Sequence, residues 1–162
     1  MKIDRIVVNA SPLIVLFKAG LSDLLPQLFT DIMVPGAVWS EVLAGGAADA
    51  AARAVPTAAW LKQVDAPAVP PIVTAWDLGA GESEVLSLAL DNPGARAVID
   101  DAAARSCAAT LRVPVLGTGG ILVLAKRRGL IDSVTASIDE LRKAGLWLSE
   151  HITDMLIKLA DE

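Results

Sequence analysis

Two stretches of the chain carry acids at spacings that could do chemistry. Leu78-Gly79-Ala80-Gly81-Glu82-Ser83-Glu84 opens an Ala/Leu-rich helical segment, and Ala97-Val98-Ile99-Asp100-Asp101 follows it. Gly79 and Gly81 end the preceding segment, Ser83 and the two Glu residues suit a helix start, and Asn92-Pro93-Gly94 breaks the helix. Ala95, Ala97, Val98 and Ile99 have no polar face, so they predict a buried strand whose carboxyl end is left by Asp100 and Asp101. In open α/β sheets that end is where ligands bind. Carboxylates gathered there repel one another unless a cation lies between them, and a hard divalent ion suits their oxygens.

Each acid also has a structural explanation. Glu82 and Glu84 favour the positive end of a helix, and Asp100 or Asp101 can cap the helix that follows. Their joint placement is more informative. Ile3 to Val8 predicts a strand that turns through Asn9-Ala10-Ser11-Pro12 into a helix, with Ser11 as N-cap and Pro12 at its first position. Asn9 then occupies the strand end equivalent to that of Asp100. Glu41 lies in a helical pattern from Gly36 to Ala44 that follows a strand at Ile32 to Val34. A right-handed parallel fold brings Asn9, Glu41, Glu82 and the Asp100-Asp101 pair to one edge.

The remaining elements follow from periodicity and breakers. Helices are expected from Ser22 to Phe29, through the Ala-rich run before Pro56, and over Ala102 to Leu111, Ile121 to Arg128, Ser133 to Ala144 and Ser149 to Leu159. Trp60 to Val64 and Val113 to Leu116 read as strands, and Ala66 to Pro71 as a connection. Strand and helix alternate, which predicts an α/β fold with a parallel sheet covered on both faces.

Gly117-Thr118-Gly119-Gly120 is a tight strand-to-helix turn that lacks the lysine and spacing of a P-loop, with Thr118 as polar lining. Lys126, Arg127 and Arg128 form the densest basic cluster; they complement a helix end and are the candidates for phosphate contact. His151, the one histidine, has no metal-ligand spacing around it, and its absence elsewhere excludes a serine triad at Ser11.

The 162 residues suit one domain, with 54% hydrophobic residues and a mean hydropathy of +0.53. That apolar excess suggests a homo-oligomer, a dimer being the simplest. A net charge of −5 excludes a protein that holds nucleic acid by bulk electrostatics, so any such contact is local or metal-assisted. The lone Cys107 excludes a disulfide framework. Lys2 and Arg5 before apolar residues only faintly mimic a signal peptide, and no apolar run is long enough for a bilayer. A cytoplasmic protein without membrane contact is expected.

Val8 to Ile14, Val34-Pro35 through Val38 and Glu41, Gly79 to Glu84, Ile99-Asp100-Asp101, and Gly117 to Lys126 together resemble the PIN-domain superfamily, in a prokaryotic branch related to VapC-type toxins. The resemblance runs from Ile3 to about Ile152. It implies a Rossmann-like α/β/α sandwich and a metal-dependent endoribonuclease, with Mg²⁺ or Mn²⁺ bound by an acidic cluster. By that likeness the catalytic set is Asn9, Glu41, Glu82 and Asp100 or Asp101, the four acids are the metal ligands, and Ser11, Thr118, Lys126, Arg127 and Arg128 face substrate. Implied partners are RNA, single-stranded or structured, and an antitoxin protein. Asn9 departs from the pattern, since active members usually carry Asp there; an amide oxygen can coordinate but brings no charge. Two other readings compete: a PIN-fold module that binds nucleic acid or protein without catalysis, and a small nucleotide-binding protein using the Thr118 loop.

Overall fold

The computed structural model describes residues 3–162, so Lys2 lies outside the described residues. Strand β1 (Ile3–Val8) leads into α1 (Ala10–Lys18), followed by α2 (Leu24–Leu28), β2 (Phe29–Pro35), α3 (Gly36–Leu43) and α4 (Ala50–Ala54). A 3-10 turn at Val55–Thr57 precedes β3 (Leu61–Val64) and the short α5 (Pro71–Thr74). Then come α6 (Ala80–Asp91), β4 (Arg96–Val98), α7 (Ala102–Thr110), β5 (Val115–Leu116), α8 (Thr118–Arg127), α9 (Val134–Lys143) and α10 (Glu150–Leu159).

The five strands form one parallel sheet in the order β3-β2-β1-β4-β5, flanked by helices in a three-layer α/β/α arrangement. The chain walks outward from β1 through β2 to β3, then returns to the other side of β1 as β4. The order therefore reverses between β1 and β4. Ile6, Val7 and Val8 of β1 and Ala97 and Val98 of β4 are fully buried, as strands covered on both faces must be. Among the described residues no helix is long and apolar enough to cross a membrane.

Several boundaries differ from the sequence expectation, and at three helix starts the reason is local. Helix α1 is capped by Asn9, not Ser11: Leu13 N–H donates to Asn9 O at 3.3 Å, and Pro12 falls at the third helical position, where its missing N–H costs no bond. Helix α6 starts at Ala80, so Ser83 lies within it, buried, with its N–H donating to Gly79 O. Helix α8 starts at Thr118 and takes in both following glycines. Gly119 is tolerated there because a Cβ on it would collide with Leu156 of α10. Close packing, which local propensity cannot report, decides that start. The buried Cys107 is a core residue whose thiol is pushed up by burial.

The last three helices are tied together by Glu162. Its carboxylate accepts from Val134 N–H at 2.5 Å, from Thr135 N–H at 3.3 Å and from the Thr135 hydroxyl at 3.0 Å, while Lys126 Nζ stands 3.5 Å away. The Val134 N–H, then Thr135 and the Lys126 charge, hold its carboxyl at about 2 against a partly opposing effect of burial. A depressed carboxyl stabilises fully above its unfolded value of 4.5 and loses that contribution as pH falls through about 2. Thermal melts of wild type and Glu162→Gln should therefore differ by a constant amount above pH 4.5, with the gap closing between there and pH 2; a gap unchanged at pH 2 would refute the assignment.

Candidate functional site

The reversal of strand order places the ends of β1 and β4 side by side, the position where such sheets open a crevice. Asn9 N–H donates to Val98 O at 3.1 Å, adding one rung beyond the paired Val8 and Val98. The Asn9 side chain makes no capping bond to α1. It is only 3% exposed, and its Oδ1 is buried without a hydrogen-bond partner. An orphaned acceptor of this kind costs about 1–3 kcal/mol.

Gly81, the second residue of α6, explains where that oxygen points. A Cβ built on it would stand 3.3 Å from Asn9 Oδ1, 3.5 Å from Val38 Cγ2 and 3.7 Å from Glu41 Oε2. The absent side chain thus leaves a small cradle with an amide oxygen on one side and a carboxylate oxygen on the other. Glu41 is exposed on α3, and no hydrogen bond or ion pair engages it among the described residues. Asn9 and Glu41 are brought together from sequence positions on separate strand-helix units.

Across the strand reversal, Asp100 is held firmly. Its Oδ1 accepts from Thr118 N–H at 2.8 Å and its Oδ2 from the Thr118 hydroxyl at 2.5 Å. Thr118 is fully buried at the first position of α8, so the helix end that it opens fixes the carboxylate. Arg105, on α7, donates from Nη1 to Ile99 O at 3.1 Å. A Cβ on Gly117 would meet that same nitrogen at 3.0 Å and Asp100 Oδ1 at 3.2 Å, so a cation flanks the carboxylate.

Of the remaining acids, Asp101 and Glu84 have structural partners. Asp101 caps α7 by accepting from Ala104 N–H at 2.9 Å, which separates the roles of the two adjacent aspartates. Glu84 accepts from Ala37 N–H at 3.0 Å and so ties α6 to the start of α3. Glu82 is the acid in the first turn of α6, and its Oε2 folds back over Gly79. Among the described residues no three Asp, Glu, His or Cys side chains are gathered as a group that could hold a metal. The expected single acidic cluster is thus divided: Asn9 and Glu41 around Gly81, Asp100 beside Thr118, and Glu82 and Asp101 at helix starts.

The polar residues expected to face substrate are dispersed. Ser11 is exposed in the first turn of α1. Lys126, Arg127 and Arg128 end α8, roughly 15 Å along the helix from Thr118. Lys126 Nζ donates to Asp132 O at 2.5 Å, and Arg127 Nη2 to Leu159 O at 2.9 Å. These two bonds bind α8 to its neighbours rather than to the sheet edge. From the sequence Gly81 reads only as the end of a segment, and Arg105 carries no role. The signal for Arg105 was its place one turn into the helix that Asp101 caps, which returns it over the end of β4.

If Thr118 fixes Asp100 as described, Thr118→Val removes one charge-assisted bond while keeping shape, and should cost about 1.5–3 kcal/mol in urea unfolding. Thr118→Ser should recover most of it. Equal stability of the Val variant and wild type would count against the contact.

No curated protein and no solved structure matches the chain significantly. A family model described as PIN domain matches residues 5–162, almost the whole chain. That match agrees with the parallel sheet and with the polar residues collected at its carboxyl edge, and the chain belongs to the PIN-domain family.

Proposed function

We propose that this PIN-domain chain is a metal-dependent endoribonuclease whose site lies between the ends of β1 and β4. The observation that carries the reading is the orphaned Asn9 Oδ1, buried beside the unengaged Glu41 carboxylate at the reversal of strand order. A buried acceptor without a donor is satisfied by a cation, and an all-oxygen set of amide and carboxylates suits Mg²⁺ or Mn²⁺. Asn9 and Glu41, which meet at Gly81, are the residues that would hold the ion, with Asp100 across the strand reversal and Glu82 on α6 as the further carboxylates this reading would recruit. When bound, such an ion supplies Lewis acidity toward water and a phosphodiester.

The chain's own contribution is positioning. Thr118 holds both oxygens of Asp100 in one orientation, so that carboxylate is a rigid ligand. Glu41 is exposed and adjustable, which lets it complete a coordination shell or accept a proton from attacking water. Asn9 contributes an oxygen without charge, which lowers the site's affinity for a cation relative to a third carboxylate. Asp101 supports the site by fixing the start of α7, and Ser11 adds a hydroxyl at the start of α1. The likeness to VapC-type toxins adds an antitoxin protein to this reading, and the apolar composition adds a homodimer; a neighbouring small gene for a DNA-binding protein is the check on the antitoxin.

One observation favours the non-catalytic module instead: the described acids are not gathered into a ready-made metal group. Calorimetric titration with Mn²⁺ separates the two. Saturable binding lost in Glu41→Gln and Asp100→Asn supports the nuclease, and no binding supports the module. Cleavage of single-stranded RNA in Mn²⁺ should fall by at least about a hundredfold in either variant, since even outer-shell changes reach that size; undiminished cleavage would sink the assignment.

Two further variants probe the cradle. Asn9→Asp places a charge where only 3% of the residue is exposed, so it should lower the melting temperature in EDTA, by several kcal/mol of stability or more, and regain it in Mn²⁺. Gly81→Ala puts a methyl group 3.3 Å from Asn9 Oδ1. It should weaken Mn²⁺ binding while changing stability by no more than about 1 kcal/mol, because alanine favours the helix. An Asn9→Asp protein equally stable with and without Mn²⁺ would remove Asn9 from the ligand set.

A further inference from the structure

A groove of about 790 Å³ opens beside Asp100. Its lining combines Asp100 and Arg105 with Trp147, Ile152, Met155 and Leu159. Trp147, in the loop between α9 and α10, is 82% exposed, and Met155 and Leu159 are more than two-fifths exposed. An indole left so open is a flat apolar surface that covers nothing in its own chain. Arg105 has one described bond, to a main-chain carbonyl, and it stands near Asp100 without forming an ion pair with it.

We infer that this groove is the track for an unpaired RNA strand, with Trp147 stacking a base and Arg105 contacting the phosphate next to it. The inference rests on the nuclease reading for its substrate class and adds the residues that select single strands. Two observations favour that occupant. The groove is continuous with Asp100, so a strand lying in it passes the carboxylate edge. An unpaired cation beside an apolar wall matches a phosphate followed by a base, and every base has a face that stacks on an indole. The net charge of −5 gives no bulk attraction for a polyanion, so in this groove the affinity comes from stacking and the one local cation. A duplex hides the faces of its bases within its own stack and gains nothing from Trp147.

The test is fluorescence anisotropy with a labelled oligouridylate on the full chain in EDTA, where cleavage does not intervene. Trp147→Ala should weaken binding about tenfold and Trp147→Phe much less. Arg105→Gln should weaken binding and flatten the salt dependence by about one unit of slope, and Arg105→Lys should keep the slope. Circular dichroism melts establish that each variant is folded, and a duplex of the same length should bind alike in wild type and Trp147→Ala. Absence of oligouridylate binding by the wild type overturns the inference. So does RNA cleavage with Mn²⁺ that is indifferent to Trp147, which leaves the nuclease reading intact. Trp147-dependent binding without any cleavage upholds the groove and refutes the nuclease. A wild type that sediments as a dimer while Trp147→Ala sediments as a monomer makes the groove an interface between copies, and the inference fails.

Discussion

The parallel pairing of β1 with β4 is the constraint on which the rest of the molecule depends. Two strands almost 90 positions apart in the chain run side by side, and the rung from Asn9 N–H to Val98 O fixes their ends at the same height. A slip of one residue would turn Asn9 away from Gly81 and send Asp100 away from Thr118, because side chains alternate faces along a strand. The register is protected by burial on both faces of β1 and β4, where every residue from Ile6 to Val8 is withdrawn from solvent. Geometry at the sheet edge is thereby inherited from the core.

Small residues then decide how close the helices come. Gly81 lets the start of α6 approach β1 and α3 without filling the space between Asn9 and Glu41. Gly117 does the same for Arg105 and Asp100. Around these openings the acids are individually managed: Asp101 and Glu84 are spent on helix starts, Asp100 is gripped by Thr118, and Glu41 is left unengaged. An edge carrying several carboxylates is stable in this form because main-chain N–H groups and helix ends neutralise most of them. Among the described residues the Asn9 and Glu41 oxygens that meet at Gly81 have no such partner, and neither has the Glu82 carboxylate.

Much of the architecture was legible beforehand. Alternating apolar strands and helical periods indicated the parallel α/β sandwich, and the placement of Asn9, Glu41 and Asp100 at strand ends or on the adjoining helices was readable from their distance to breakers such as Asn92-Pro93-Gly94. Helix starts were read less well. Ser11 suggested a cap, Ser83 a helix start and the turn through Gly120 a start at Ile121, yet the caps are Asn9, Gly79 and Gly117. Capping preference is worth about 1 kcal/mol, less than the packing that sets where each helix meets the sheet. The basic run at Lys126 to Arg128 shows the same limit, since a charge cluster does not reveal which end of its helix faces the site.

By itself, then, the sequence determined the class of fold, the edge at which polar residues collect and the family resemblance, because these follow from periodicity, breakers and residue type, which are properties of short segments. Tertiary structure alone gave Asp101 to the start of α7 and Asp100 to Thr118, left Asn9 Oδ1 without a donor, brought Arg105 beside Asp100 and set Trp147 at the groove. Those outcomes depend on which atoms from distant segments share a few ångströms, and no local pattern encodes that distance.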